Sequence, residues 1–288
     1  APNAVPRKAI APLSFTRMVL CMAGNFRKPK PNPKCNKKTK ADAWSVHPYT
    51  TGSPVHLPSN GNNMTVAALP RMNKLLAAAR KSKRLTSVHG PTQLWATEFS
   101  WDSNPPDPGG VPAGLLKRWV SQAMYMMYKS NVRMLSWFGL RDHARAPGQK
   151  WSESFESGLY FRGATVAEDR PKPVLKAFRQ PFYAETIQNG RKGFRFWGRT
   201  ADSKPVWVDI FARRKNNGKF FRMKTVRANA NGIFQGAVRK RGFTKRGAAY
   251  AKPRKGQASF AFGLWKTVDC RQPPFGAKKF DKKCFRRG

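Results

Sequence analysis

Apolar residues recur at two different spacings along the first 180 residues of the chain. Short apolar runs predict buried strands, which lie at Asp42–Tyr49 (DAWSVHPY), Leu94–Phe99 (LWATEF) and Val132–Asp142 (VRMLSWFGLRD). Segments with apolar residues at helical spacing follow each run, at residues 66–84, 112–130 and 170–182. A further helix is predicted at residues 12–24, with Ser14 as its N-terminal cap. Three strand-to-helix units in series predict a parallel sheet.

The pattern changes after about Pro181, where short strands alternate with turn sequences. The predicted strands are FYAETI, GFRFWGRT, PVWVDIFAR, KFFRMKTVR, GIFQGAVR and SFAFGLWK, with KNNG and NANG as turns between them. Such a series is typical of an antiparallel β-sandwich of roughly 100 residues. The expected fold class is therefore α/β plus all-β, with one domain over residues 1–180 and a second over residues 181–288.

The charge of the chain points to polyanionic partners. The 288 residues include 56 Lys and Arg against 14 Asp and Glu, a formal net charge of +42. A 40% hydrophobic content with nine Trp and 20 Phe excludes a disordered polycation, so the charge lies on a folded body. Residues 181–288 alone hold 28 Lys and Arg against five Asp and Glu, interleaved with aromatic residues. This composition keeps open a secreted, non-catalytic binding protein for acidic polysaccharide or nucleic acid.

Several other classes of partner are not expected from the sequence. No apolar run reaches the ~18 residues of a membrane span, and no nucleic-acid recognition motif is found, so we expect no specific nucleic-acid partner. No cysteine and histidine spacing fits a metal site, and no organic cofactor is expected. The chain begins without Met or a secretory signal, which predicts an inner part of a longer chain.

Four cysteines form two pairs of equal separation, Cys21 with Cys35 and Cys270 with Cys284. Each pair brackets a Pro-rich or Lys-rich loop with little core of its own, so two local disulfides are predicted. Two disulfides would indicate an extracellular protein. The basic surface is also compatible with attachment to an anionic cell envelope. The alternative is four free thiols in a cytosolic protein.

Polar and aromatic side chains follow the three predicted parallel strands. Because parallel sheets and barrels place their chemistry at the carboxyl ends of strands, these side chains are expected to meet on one rim. The candidates are His47, Tyr49, Glu98, Trp101, Trp137 and Asp142. Aromatic faces with interspersed hydrogen-bonding groups suit a sugar ring, so a carbohydrate substrate is expected. Glu98 could instead be a structural acid paired to an arginine such as Arg141, and Trp137 could equally belong to the core.

The segments DAWSVHPY, LWATEFSWDSNPPDP, LSWFGLRD and SGLYF, followed by RPKPVLKAFR, carry a resemblance to a known group of enzymes. In order and spacing they resemble the last three strands of a secreted retaining glycoside hydrolase of the (β/α)8-barrel type. That clan includes β-xylosidases, α-iduronidases and endo-glycanases. The resemblance covers about residues 41–182 and implies that these residues are the carboxyl-terminal portion of a TIM barrel, followed by a β-sandwich accessory domain.

The resemblance implies a role for each candidate. Glu98 would be the nucleophile, His47 and Tyr49 would hold it, and Trp137 would line the sugar subsite. The loop after Glu98, with Trp101, would form a further wall. In the clan a second carboxyl, which acts as acid/base, lies in an Asn-Glu pair after the fourth strand, and no Asn-Glu pair occurs in this sequence. We therefore expect an incomplete chain with weak or no activity alone, with Asp102 or Asp142 as alternative second carboxyls.

Overall fold

The computed structural model describes residues 9–244 and 246–264, except for the side chain of Ser152. It is a mixed α/β protein with few helices and several sheets. The helices are α1 (Pro12–Val19), α2 (Leu69–Lys81), α3 (Ala113–Lys129) and α4 (Pro173–Arg179). The strands are β1 (Met22–Gly24), β2 (Pro29–Pro31), β3 (Thr39–Lys40), β4 (Ala43–Val46), β5 (Leu85–Thr86), β6 (Gln93–Phe99), β7 (Ser103–Asn104), β8 (Val111–Pro112), β9 (Val132–Trp137), β10 (Tyr160–Phe161), β11 (Arg170–Pro171), β12 (Phe182–Thr186), β13 (Phe194–Arg199), β14 (Trp207–Arg213), β15 (Phe221–Arg227), β16 (Ile233–Val238), β17 (Ala248–Pro253) and β18 (Phe262–Gly263).

The chain forms two compact units. The first contains the residues up to 101 together with 126–138, and the second contains 102–125 together with the residues from 139 onward. A parallel sheet with strand order β4-β6-β9 lies in the first unit, as the sequence predicted. Among the described residues this sheet has three strands and does not close into a barrel, so β4 and β9 form its edges.

Helix α2 shows why the sequence specifies the elements of the first unit. It begins with a proline in its first turn, where the missing N–H costs no hydrogen bond. Its buried residues recur at helical spacing and form one apolar face: Leu69, Met72, Leu75, Leu76 and Ala79. The opposite face carries its charged residues.

The predicted cap of α1 was wrong. The helix begins at Pro12 with Ala11 at the cap position, three residues before the predicted cap Ser14. Pro12 has a fixed φ that suits the first helical turn, so the helix starts there without a side-chain cap. Ser14 lies inside the helix and accepts a hydrogen bond from Arg17.

Two antiparallel sheets make up most of the second unit and share one hydrophobic core. The first has strand order β12-β13-β16 and the second β15-β14-β17-β18. Strand β14 shows the alternation that builds this core, because Val208, Ile210 and Ala212 are buried while the residues between them face outward. The antiparallel structure predicted after Pro181 is confirmed, although β17 was not predicted because its alanines have low strand propensity.

The two sheets differ in what lies on their outer faces. Tyr125 of α3 stacks on Tyr183 of β12 with ring centroids 4.4 Å apart, and it also contacts Trp197 of β13. The helix therefore covers part of the outer face of the three-stranded sheet. The outer face of the four-stranded sheet carries exposed residues, including Trp207 and Arg222.

Candidate active site

The parallel register of β4 and β6 brings three of the predicted site residues together in the first unit. Val46 lies opposite Ala96, so both strands end on the same side of the sheet. His47 and Tyr49 follow β4 directly, and Glu98 is the penultimate residue of β6. The strand-end arrangement expected from the sequence is present for these three side chains.

The Glu98 carboxylate is held by two neighbours. Its Oε2 accepts a hydrogen bond from the Tyr49 hydroxyl at 3.2 Å and lies 3.4 Å from His47 Nδ1. The side chains of His47 and Glu98 are 29% and 40% exposed, so the carboxylate is oriented by the protein and still reachable from solvent. These are the properties required of a carboxylate that attacks a bound substrate.

Two hydroxyl groups extend this network, and the sequence had not singled them out. His47 Nε2 lies 3.1 Å from the Thr97 hydroxyl, which also bonds the hydroxyl of Ser45. An imidazole with its proton on Nδ1 donates to Glu98 and accepts from Thr97 at its other nitrogen. Thr97 thereby fixes the orientation of the ring. Alternation along β4 could have indicated Ser45, which lies two residues before His47. It could not have indicated Thr97, which is the immediate neighbour of Glu98 in β6.

The aromatic candidates of the first unit lie at different depths. Trp137 ends β9 opposite Phe99, with ring centroids 6.0 Å apart, and it is half-buried. Trp101 is only 4% exposed, and its indole N–H donates to the carbonyl oxygens of Thr50 (2.7 Å) and Gly52 (3.2 Å). Trp137 therefore has surface available to a ligand, whereas Trp101 is buried and packs against Phe99. Ligand contact by either ring stays a prediction.

Asp142 belongs to the second unit and is bound by a lysine. Lys172 Nζ lies 2.5 Å from Asp142 Oδ1 and also donates to the Ser103 hydroxyl (2.8 Å) and the Glu156 carbonyl (2.9 Å). Asp142 accepts a further hydrogen bond from the Gly158 N–H at 3.0 Å. Both charged side chains are almost fully buried. Contact of Asp142 with substrate stays a prediction, while its bond to Lys172 explains its position.

Arg141, the residue before Asp142, makes a different ion pair. Its Nη2 lies 2.6 Å from Asp169 Oδ1, and it also donates to the carbonyl oxygens of Gly163 and Thr165. The pKa of the Asp169 carboxyl is lowered, chiefly by the Gly163 N–H and also by Arg141. Arg141 therefore ties together the loop after β10.

Burial changes the acid–base properties of the groups around Lys172. The pKa values of Asp142 and Glu156 are raised because burial disfavours their charged forms. Burial lowers the pKa of Lys172, against the opposing pull of Asp142. The pKa of Asp102 is raised to about 6, first by burial and then by the nearby charge of Asp107. Asp102 therefore keeps its proton up to a pH well above the usual range for a carboxyl.

Because the pKa of Asp102 is raised, replacing it with asparagine should increase folding stability, and the increase should depend on pH. Folding stability from this group is fully present below the unfolded pKa of ~4 and is lost as pH rises through about 6. Asp102→Asn should therefore be more stable than the parent at pH 8, by about 1–2 kcal/mol, and equally stable at pH 3.5. Thermal unfolding of both proteins at the two pH values measures the difference. A variant that is less stable at pH 8 would contradict the desolvated carboxylate.

One of the two predicted disulfides lies within the described residues. Cys21 and Cys35 are bridged, with Cα atoms 5.4 Å apart. Cys270 and Cys284 lie outside the described residues. A disulfide is consistent with an extracellular protein.

Two further searches of the described residues bear on the expected partners. In residues 9–244 and 246–264, no three or more His, Cys, Asp and Glu side chains are grouped so as to hold a metal ion. Within the same ranges, none of the helices combines the length and the apolar character needed to span a bilayer.

No protein-family model matches the chain, and no curated protein sequence is similar to it. Among solved structures, a family 44 glycoside hydrolase, the xyloglucanase of Paenibacillus polymyxa, is 10% identical over 75% of this chain and 47% of its own, with a TM-score of 0.24. A family 44 endoglucanase from Clostridium thermocellum is 9% identical over 74% of this chain and 47% of its own, with a TM-score of 0.23. The chain thus spans about half the length of these structures. Scores of this size do not establish a common fold.

Proposed function

We propose that the first unit carries the nucleophile of a retaining glycoside hydrolase that cleaves O-glycosidic bonds in a polysaccharide or oligosaccharide. One observation carries the proposal. Glu98 is a half-exposed carboxylate at the carboxyl end of a parallel strand, held by the Tyr49 hydroxyl and by His47. Together with the partly exposed Trp137, this arrangement supports a carboxylate that faces a bound sugar.

The chemistry needs two carboxyl groups. Glu98 would attack the anomeric carbon and form a glycosyl ester, while a second carboxyl gives its proton to the departing oxygen. Water would then hydrolyse the ester, and the same second group would take the proton from that water. His47 and Tyr49 would keep Glu98 aligned for its attack on the anomeric carbon.

The second carboxyl does not come from the unit that contains Glu98. Asp42 is the other acidic residue of that unit, and it precedes β4, about 16 Å along the strand from His47. Its carboxylate already accepts hydrogen bonds from the Val88 and His89 N–H groups. The spacing required for a retaining pair is about 5 to 5.5 Å. We therefore propose that the partner carboxyl is the one that the resemblance assigns to an upstream fourth strand.

Asp102 and Asp142 are the alternative donors, and their surroundings differ. Asp142 is bound by Lys172, whereas burial raises the pKa of Asp102 to about 6. A general acid works best with a pKa near the working pH. Asp102 keeps its proton to a higher pH than an ordinary carboxyl, which is the property that a general acid needs.

Two features of the first unit support a larger barrel domain around residues 1–180, with residues 181–288 as a β-sandwich accessory domain. Strand β4 is an open sheet edge, and an apolar groove of about 240 Å³ lies beside it, lined by Phe15, Trp44, Val46 and Met72 among others. Helix α1 also exposes apolar side chains. Open edges and exposed apolar surfaces are usually covered in folded proteins.

Covalent trapping tests the role of Glu98 without the second carboxyl. A 2-deoxy-2-fluoro sugar with a dinitrophenolate leaving group needs no proton on departure and leaves a slowly hydrolysed ester. We expect dinitrophenyl 2-fluoro-β-glucoside or 2-fluoro-β-xyloside to add one glycosyl mass to the chain and peptide mapping to place it on Glu98. Glu98→Gln should abolish the adduct, and Glu185→Gln, at another half-exposed glutamate, should leave it unchanged.

Three results would count against the proposal. They are an adduct on a different carboxyl, undiminished labelling of Glu98→Gln, and no labelling with either reagent. Polysaccharide hydrolysis by the 288-residue chain should be weak, because loss of general-acid catalysis costs a factor of ~10² to 10⁴. Robust hydrolysis would show that the second carboxyl lies within the chain.

A further inference from the structure

The outer face of the four-stranded sheet in the second unit combines a high density of cations with aromatic rings. Because directly opposite residues of antiparallel strands share a face, Arg227 lies beside Trp207, Lys252 beside Asp209, and Arg222 beside Phe211. We call this surface the basic face. It comprises Arg213, Arg222, Arg227, Lys252 and Arg254, with the aromatic residues Trp207, Phe211, Phe220 and Tyr250.

The cations follow one another along the strands of the sheet. We call each set of outward-facing residues that are neighbours across the strands a row. Outward-facing residues of a strand are about 6.8 Å apart, so the four rows from Trp207 to Arg213 span about 20 Å. Each row has at least one cation. The one carboxylate of the face, Asp209, accepts a hydrogen bond from Thr225 at 2.5 Å and lies 3.9 Å from Arg222. The face therefore presents a line of positive charge rather than a single anion site.

The aromatic rings of the face lie beside its arginines or beside one another. Trp207 is 47% exposed, and the guanidinium carbons of Arg227 and Arg254 lie 6.0 and 5.9 Å from its ring. Phe211 and Tyr250 stack on each other, with centroids 5.0 Å apart and planes 7° from parallel. Cation–π contact fixes a guanidinium in place while its N–H donors stay available to an anion.

These contacts distinguish between the two classes of polyanion. Proteins that bind single-stranded nucleic acid on a sheet present free aromatic faces on which bases stack. Here Phe211 and Tyr250 stack on each other and two guanidinium groups lie beside Trp207, so the face offers less free ring surface than such a platform. Arginine N–H donors bond in pairs to carboxylate groups, and to phosphate groups as well. The aromatic packing therefore argues against single-stranded nucleic acid in particular, and the test includes an oligonucleotide for a phosphate-bearing partner.

We propose that the basic face binds a linear acidic polysaccharide, with its carboxylate or sulfate groups on Arg222, Arg227 and Arg254. A chain with regularly spaced anions can contact several rows at once, which gives affinity that a single anion cannot reach. The proposal is independent of Glu98, which lies in the other unit. Binding and catalysis can therefore be tested separately.

The test compares two triple variants of the 288-residue chain that lose the same charge. Arg222→Gln/Arg227→Gln/Arg254→Gln removes the cations of the face. Arg191→Gln/Lys192→Gln/Lys240→Gln removes three exposed cations beside the loops of the other sheet. Heparin is the acidic probe, dextran the neutral one, and affinity is measured by titration calorimetry over a range of salt concentrations. Circular dichroism confirms that both variants are folded.

We expect the parent to bind heparin and not dextran. The face variant should lose about tenfold or more in affinity, and its slope of log affinity against log salt should fall by about three. The control variant should stay within about twofold at 150 mM salt, where distant charges are screened. Glu98→Gln should bind heparin like the parent even if the trapping experiment fails.

Several outcomes would overturn the proposal. Equal losses in the two triple variants would mean that net charge alone attracts the polymer. Tighter binding to a dT20 oligonucleotide or to phosphatidylserine vesicles than to heparin at the same salt would assign the face to a different partner. Absence of heparin binding by the parent would also contradict it.

Discussion

Lys172→Met is expected to lower the free energy of unfolding by about 3–5 kcal/mol, because it leaves a buried carboxylate without its counter-charge. Lys172 Nζ donates to Asp142, to Ser103 and to the Glu156 carbonyl, and methionine can replace none of these bonds. Asp142 would keep only the Gly158 N–H among these contacts. Urea denaturation at pH 7, followed by tryptophan fluorescence, measures the loss.

Two variants separate charge pairing from packing. Lys176→Met, at an exposed position of α4, the helix that follows Lys172, should change stability by no more than about 0.5 kcal/mol. Lys172→Met/Asp142→Leu removes both charges and should recover much of the loss. The single variant should also lose less at pH 4.5 than at pH 7, because an unpaired Asp142 takes up a proton. A loss that is the same at both pH values and persists in the double variant would indicate a packing defect instead.

Removal of the bridge between Cys21 and Cys35 is expected to cost about 3 kcal/mol. The two cysteines are 14 residues apart, and closure of a loop of this length lowers the entropy of the unfolded chain by roughly that free energy. Cys35→Ser is the suitable variant because Cys21 is buried and Cys35 is not. Thermal unfolding under non-reducing conditions gives the difference from the parent.

A reducing agent extends this experiment to the second cysteine pair. If Cys270 and Cys284 form the predicted bridge, Cys35→Ser should lose further stability when dithiothreitol is added. If they do not, reductant should leave the variant unchanged. A variant as stable as the parent would contradict the structural role of the first bridge.

Several of the few acidic residues of the chain lie in the buried cluster around Lys172. Of the 14 acidic residues, Asp102, Asp107, Asp142 and Glu156 act on one another or on Lys172 in the second unit. Asp209 lies on the basic face between cations. These acids thus interact with other charged groups, whereas the neighbours of Glu98 are a phenol and an imidazole, and its side chain is 40% exposed.

Most of the longer elements and their type could be predicted from the sequence. Apolar periodicity predicted the three parallel strands, helix α2 and most of the antiparallel strands, because burial on one face leaves a repeat of 3.6 or 2 residues. The same rule placed His47, Tyr49 and Glu98 at strand ends. Local signals misled at Ser14 beside Pro12 and were weak in the alanines of β17. They also missed the strands of two or three residues, such as β1 and β7, which are too short to show a repeat.

The contacts between side chains that are distant in sequence could be seen only in the tertiary structure. Lys172 and Asp142 are 30 residues apart, and the sequence around neither residue indicates that the two form a pair. The same holds for the burial of Trp101 and for the rows of the basic face, which follow from the register of β14 with β15 and β17. Periodicity is a property of a single segment, whereas pairing depends on how distant segments are aligned, and that alignment is set by packing of the shared core.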